Sequence, residues 1–258
     1  MAAILELRNV SKNFGGVKAI DDFSVILESG KIHGLIGPNG AGKTTIFNNI
    51  TGIYAPTSGQ IFFDGKDITG KKPHHVAQAG IGRTFQNIRL FSNLSALQNV
   101  IIASNMDARY NLLHTILRLP KYRQIEKGMM EKALRLLDAV GLKDKASERA
   151  SNLPYGHQRK LEIARAMALE PKLLLLDEPA AGMNADESME LVEFVKKIKD
   201  DFGLTILMIE HHMDVVTNLC DSVTVLNFGK TIASGTPAEV KSNHVVIEAY
   251  LGGSEQHA

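Results

Sequence analysis

The chain has 258 residues, 44% hydrophobic and 22% charged, the make-up of one or two folded domains with a real core. A formal net charge of +1 leaves no electrostatic footprint for nucleic acid, and Cys220, the only cysteine, excludes an internal disulfide. No apolar run approaches the ~20 residues of a membrane helix, and Glu6 and Arg8 interrupt the only apolar start, so neither a span nor a secretory leader is expected. Cys220 reads as a small buried apolar group in a reducing compartment.

In chain order, Ile4–Val10 and Val17–Leu27 alternate as strands do. Ile32–Ile36 reads as a short buried strand and Lys43–Ile50 as a helix. Gln60–Asp64 follows the turn residues Pro56-Thr57-Ser58-Gly59 and ends at Asp64-Gly65, a hairpin signal. Gly80–Phe85 is a further strand. From Ser95 to Gly141 the pattern changes. Glu126–Val140 spaces Met129, Met130, Ala133, Leu136, Leu137 and Val140 as one helix face. Residues 106–122 are polar and basic around five aliphatic residues, and a helix and a flexible insertion both fit. Leu173–Leu176 is a continuous apolar strand, as a buried parallel sheet requires. Helix Glu187–Lys199, strand Thr205–Ile209, helix Met213–Cys220 and strands Ser222–Leu226 and Lys230–Ala233 follow. The expected fold is α/β. A parallel core with a small antiparallel sheet spans about 1–86 and 170–258, and a helical insertion spans about 87–169.

Gly37-Pro38-Asn39-Gly40-Ala41-Gly42-Lys43-Thr44 fits the phosphate-binding loop pattern, between a strand and a helix. That context aims backbone N–H groups and the positive end of a helix dipole at one point. Lys43 would reach the β- and γ-phosphates, and the Thr44 hydroxyl would hold Mg²⁺. Downstream, Leu173–Leu176 ends in Asp177-Glu178. In phosphate-loop ATPases the first carboxylate serves the Mg²⁺ shell, here Asp177 through water, and the second takes a proton from the attacking water.

Leu153-Pro154-Tyr155-Gly156-His157-Gln158-Arg159, followed by Leu161-Glu162-Ile163-Ala164-Arg165-Ala166, resembles the signature loop and helix of the ATP-binding subunits of ABC transporters. The resemblance covers nearly the whole chain and implies a phosphate-loop cassette with an antiparallel β subdomain and an inserted helical subdomain. It implies ATP and Mg²⁺ as ligands. It places Phe14, Val17 and Thr45 on the nucleotide, with Phe14 stacked on adenine. Gln86 falls where a glutamine touches Mg²⁺ and links to membrane subunits. His211 falls where a histidine senses the γ-phosphate, and Ala180–Asn184 occupy the D-loop. Pro154 replaces the signature serine, Tyr155 a glycine, His157 a glutamine and Asn184 an aspartate; Gly156 is retained. Proline suits a first helical turn, so this helix start still suits a phosphate. The runs Arg83-Thr84-Phe85-Gln86-Asn87, Leu153–Gly156 and the ending Gly235-Thr236-Pro237 through Val246–Gly252 look like the subunits that power bacterial branched-chain amino-acid import.

The implied partners are a second cassette, identical or different, the permease subunits and, indirectly, a periplasmic solute-binding protein; nucleic acid is not among them. The implied location is peripheral, on the cytoplasmic face of the inner membrane. Asn87–Phe91 would line the groove for the permeases. Competing functions are the ATPase of lipopolysaccharide export, a soluble cassette ATPase acting on nucleic acid or ribosomes, and a catalytically silent partner subunit. His74-His75 and His211-His212 would point apart on strands, and no further ligand completes a metal set. His157 reads as a solvated polar residue, and Lys121, Arg123, Lys127 and Lys132 as a wet helix face.

Overall fold

The computed structural model describes residues 2–104 and 120–251. The chain divides into two units, residues 1–86 with 172–258 and residues 87–171. In chain order the first unit opens with β1 (Ala3–Phe14), β2 (Val17–Glu28), β3 (Ile32–Ile36), α1 (Lys43–Ile50), β4 (Ser58–Phe63), β5 (Lys66–Asp67), α2 (Pro73–Ala79) and β6 (Ile81–Arg83). The second unit holds α3 (Ala96–Ser104), α4 (Pro120–Ala139) and α5 (Tyr155–Met167), with 3-10 turns at Lys143–Lys145 and Ala150–Asn152. The first unit resumes with β7 (Leu173–Asp177), α6 (Ala185–Phe202), β8 (Thr205–Ile209), α7 (Met213–Leu219), β9 (Ser222–Asn227), β10 (Lys230–Gly235), α8 (Pro237–Lys241) and α9 (His244–Leu251). No described helix is long and apolar enough to cross a membrane.

One sheet of the first unit is antiparallel, in the order β2-β1-β4-β5. β1 extends four residues beyond the predicted end at Val10. Register shifts on both sides of Asn9, which takes a left-handed φ of 48°, break the alternation that marks a strand in sequence. β4 starts inside the predicted turn, because Ser58 already pairs with Ser11.

The second sheet has the order β10-β9-β3-β8-β7-β6, parallel except for the edge strand β10. Every residue of β3, β7 and β8 is buried, which is why Leu173–Leu176 of β7 reads as an unbroken apolar run. β6 is shorter than predicted, since Gly80 caps α2 with φ 110°. α2 escapes a periodicity search because Val76 is its only buried residue. α6 starts at a capping box: the Asn184 side chain accepts the Glu187 N–H, and the Glu187 carboxylate accepts the Asn184 N–H, both at 2.9 Å. Cys220 is buried, and burial pushes its thiol up to about 12.

In the second unit, α4 begins six residues before the predicted helix. Its buried stripe is Ala133, Leu136 and Leu137, continued by Val140, whereas Met130 is 45% exposed. Residues 106–119 of the undecided stretch lie outside the described residues. α3 has no clean apolar period because Asn99 is among its buried residues; its side-chain amide donates to the Phe91 and Ser95 carbonyls.

Arg83 at the end of β6 ties three elements of the first unit together. It donates to Asp177 Oδ2 on β7 at 3.0 Å, to Asn48 Oδ1 on α1 at 2.7 Å and to Thr51 Oγ1 at 3.1 Å. Both charged side chains of the pair are at most 7% exposed. Removing one partner strands a buried charge, so Arg83→Met is expected to destabilise the chain by about 3–5 kcal/mol. A urea midpoint equal to that of the parent at unchanged slope overturns this.

Candidate nucleotide-binding site

The phosphate-loop residues form a cradle that only glycine backbones allow at two points. Gly37 has φ 145°, and a Cβ there would collide with the Leu226 carbonyl oxygen. Gly42 caps α1 with φ 105°, and a Cβ there would lie 2.7 Å from the Ala19 carbonyl oxygen. Asn39, Gly40 and Thr44 are exposed, Pro38 and Thr45 half-buried, and Ala41 buried. α1 has no side-chain cap and no acidic residue in its first turn, which suits an anion. Lys43 is folded onto its own loop: Nζ donates to the Gly37 carbonyl at 2.6 Å and the Pro38 carbonyl at 3.0 Å. Burial pulls its pKa below the ordinary lysine value, against the opposing pull of Glu178 and Asp177.

The ends of β7 and β8 bring the next groups together. Glu178 directly follows β7 and adopts a left-handed φ of 47°, a strained state for a residue with a side chain. Its N–H donates to the Ile209 carbonyl at 3.0 Å. Its Oε2 accepts from Gln86 Nε2 at 2.9 Å and lies 3.8 Å from His211 Nδ1. Two residues distant in sequence, Gln86 and His211, thus converge on one oxygen of Glu178. Glu210, unnoticed in the sequence, is fully buried beside them. Arg83 was quoted only as part of a run; its bond to Asp177 was not legible there.

Phe14 and Val17 flank the β1–β2 turn and are 40% and 69% exposed. Tyr54, just after α1, meets the Phe14 ring edge-on, with centroids 5.1 Å apart, and Lys12 Nζ lies 5.0 Å from the Phe14 centroid. Tyr54 carried no sequence signal, because its approach to Phe14 is purely tertiary.

In the second unit, Pro154 is the N-cap of α5 rather than a residue of its first turn, with φ −54° and ψ 153°. Proline offers no side-chain acceptor, so α5 starts without a side-chain cap. Leu153 is buried, Gly156 half-buried, and Tyr155 is 45% exposed with its hydroxyl accepting from the buried Arg159 at 3.0 Å. His157 is half-buried, and partial burial with Lys145 and Lys160 nearby lowers its pKa. In Asn87–Phe91, Ile88 and Leu90 are half-buried and Phe91 is 47% exposed under the Arg165 guanidinium.

The paired histidines do not point apart. The rings of His74 and His75 lie 4.0 Å apart and those of His211 and His212 4.1 Å, because the first pair starts a helix and the second sits in a loop. Glu210, His211 and His212 bring ligand-type atoms within 4.8 Å. Lys127 and Lys132 pair with Glu131 and Glu170, at 3.9 and 2.8 Å; the side chains of Lys121 and Arg123 lie outside those described.

The model of the ABC transporter family matches residues 20–181, and a model described as branched-chain amino acid ATP-binding cassette transporter matches residues 230–256. The chain is 42% identical to the high-affinity branched-chain amino acid transport ATP-binding protein BraF of Pseudomonas aeruginosa, over 96% of this chain and 98% of that protein. It is 40% identical, with the same coverage, to the corresponding protein LivG of Escherichia coli. A solved ATP-binding cassette of an ABC transporter in its ADP conformation superposes with a TM-score of 0.86 at 34% identity, covering 98% of this chain and 100% of that one. A nucleotide-free cassette gives 0.85 at 33% identity, over 96% and 99%. Similarity of this extent, along nearly the whole chain, makes the protein a member of the ABC transporter ATP-binding family.

Proposed function

We propose that the chain binds and hydrolyses ATP to drive an importer of branched-chain amino acids. The match of residues 230–256 to the branched-chain cassette model carries the solute class, and the likeness to BraF and LivG supports it. The ATPase would sit on the cytoplasmic face of the inner membrane, against permeases fed by a periplasmic binding protein. Half-exposed Phe91 with Ile88 and Leu90 offers the permeases an apolar contact.

In this reading the loop from Gly37 to Thr45 wraps the phosphates, and Phe14 and Val17 offer an apolar face to the adenine. Lys43 exchanges its two loop carbonyls for phosphate oxygens. Thr44, Gln86 and Asp177 present oxygen donors that suit a hard cation. Mg²⁺, when bound, neutralises charge developing on the β- and γ-phosphates. Glu178 accepts the proton of the attacking water, Gln86 holds that carboxylate by its amide, and His211, 3.8 Å from it, senses the γ-phosphate. A second cassette supplies Leu153, Pro154, Tyr155, Gly156 and His157 across the nucleotide, and the D-loop up to Asn184 faces that partner. The uncapped start of α5 attracts the γ-phosphate through its N–H groups. ATP favours the closed pair and hydrolysis releases it.

Leucine uptake tests the solute: proteoliposomes with this chain and its permeases should take up labelled leucine only with ATP. ATP hydrolysis without leucine, isoleucine or valine uptake overturns the solute class and leaves the ATPase reading intact.

Lys43→Ala should weaken ATP binding by about 100-fold or more, since charge-assisted bonds are worth about 1.5–3 kcal/mol each. Equal affinity in a calorimetric titration removes the phosphate-loop assignment. Glu178→Gln should keep ATP affinity and slow turnover by roughly 10²–10⁴, the worth of a positioned base. A rate within about threefold of the parent points to a different base. In the Glu178→Gln background, Pro154→Ser should strengthen ATP-dependent dimerisation. Serine would supply a hydroxyl to donate to the γ-phosphate across the pair, a charge-assisted bond of about 1.5–3 kcal/mol, against about 0.4–1 lost with the proline. Weaker dimers in sedimentation would mean that Pro154 is a fitted part of the site.

A further inference from the structure

Glu210 lies between the end of β8 and His211, and its side chain is fully buried. Both of its oxygens face donors. Oε1 accepts the Ala180 N–H at 2.9 Å, from the turn that begins at Glu178. Oε2 accepts the His211 N–H at 3.0 Å, the His212 N–H at 3.3 Å and His212 Nδ1 at 3.2 Å. One carboxylate therefore joins the loop after β7 to the loop after β8. The backbone makes a second tie two residues earlier, where the Glu178 N–H meets the Ile209 carbonyl. These bonds bracket the left-handed Glu178. Such a conformation persists only where its surroundings over-determine it. The same bonds also explain why Glu210, His211 and His212 do not read as a metal centre: the carboxylate is already taken by four donors.

We propose that Glu210 is a positioning residue for ATP hydrolysis, whose carboxylate clamps the strained turn at Glu178 to the loop that carries His211. It touches neither nucleotide nor water and acts through the backbone N–H groups of Ala180 and His211. The proposal rests on the reading of Glu178 as the base.

Glu210→Gln is the sharpest test. Glutamine has one acceptor oxygen, so its amide must turn donors toward one of the two loops. Turnover should fall by about 10- to 100-fold, the cost of misplacing a catalytic group by about an ångström. KM for ATP should stay within about threefold. Amide hydrogen exchange should quicken at Ala180 or at His211 and His212, and nowhere else. In a Glu178→Gln background, Glu210→Gln should cost about threefold or less, because a residue that acts through another is not additive with it. Glu210→Asp keeps the charge and shortens the reach; it is read the same way if the glutamine variant fails to fold. Unchanged turnover, a parallel rise in KM, full additivity with Glu178→Gln, or failure of both variants to fold each overturns the proposal. Glu178→Gln run alongside separates the two ideas. If that variant hydrolyses ATP like the parent, the base assignment fails, and amide exchange at Ala180 and His211 still decides whether Glu210 is the clamp.

Discussion

The site depends on parallel strand register. β3, β8, β7 and β6 run side by side in one direction, with Leu35 opposite Ile209, Ile209 opposite Asp177, and Arg83 opposite Leu175. Parallel strands must all finish at the same edge, and open α/β sheets bind ligands outside that edge. The phosphate loop leaves β3 there, Gln86 follows β6 there, and Glu178 and His211 follow β7 and β8 there. A one-residue slip of β8 would move His211 away from the Glu178 oxygen it now approaches at 3.8 Å.

Electrostatics at this edge are arranged in buried pairs and clamps. Asp177 faces Arg83, Glu210 faces backbone N–H groups, and Lys43 faces loop carbonyls. Charge removed from water is costly unless each lone pair and proton has a partner. Asp177 and Glu210 are therefore held in one geometry before any substrate charge develops, which is what electrostatic preorganisation requires, whereas Lys43 has partners to exchange. Strain concentrates at the same place: Glu178 is left-handed where the backbone must turn from a strand end back toward the site.

What could be read from the chain followed from local chemistry. The phosphate loop, the apolar run of β7, the short strands β3 and β8, and the Asp177-Glu178 pair are consecutive residues whose pattern carries their reason. Helix α2 was missed because one buried residue makes no period, and the tail of β1 because a bulge at Asn9 resets the alternation. Arg83, Glu210 and Tyr54 were missed for a different cause. Each acts through a partner far along the chain, Asp177, Ala180 and Phe14, and no spacing rule records such pairs. The histidine pairs misled because a strand was assumed where the backbone is a helix start and a loop.

The bonds from Lys43 to Gly37 and Pro38 have a thermodynamic consequence. A lysine already holding two carbonyls does not gain its full electrostatic attraction when a phosphate arrives; it trades one set of acceptors for another. Selectivity follows from the trade. A lone inorganic phosphate must displace both carbonyls with one group. A triphosphate spreads that displacement over a chain of oxygens and the length of the loop. In the proposed reading the lysine discriminates against anions that cannot replace both carbonyls, and its two bonds tie Gly37 and Pro38 to the start of α1.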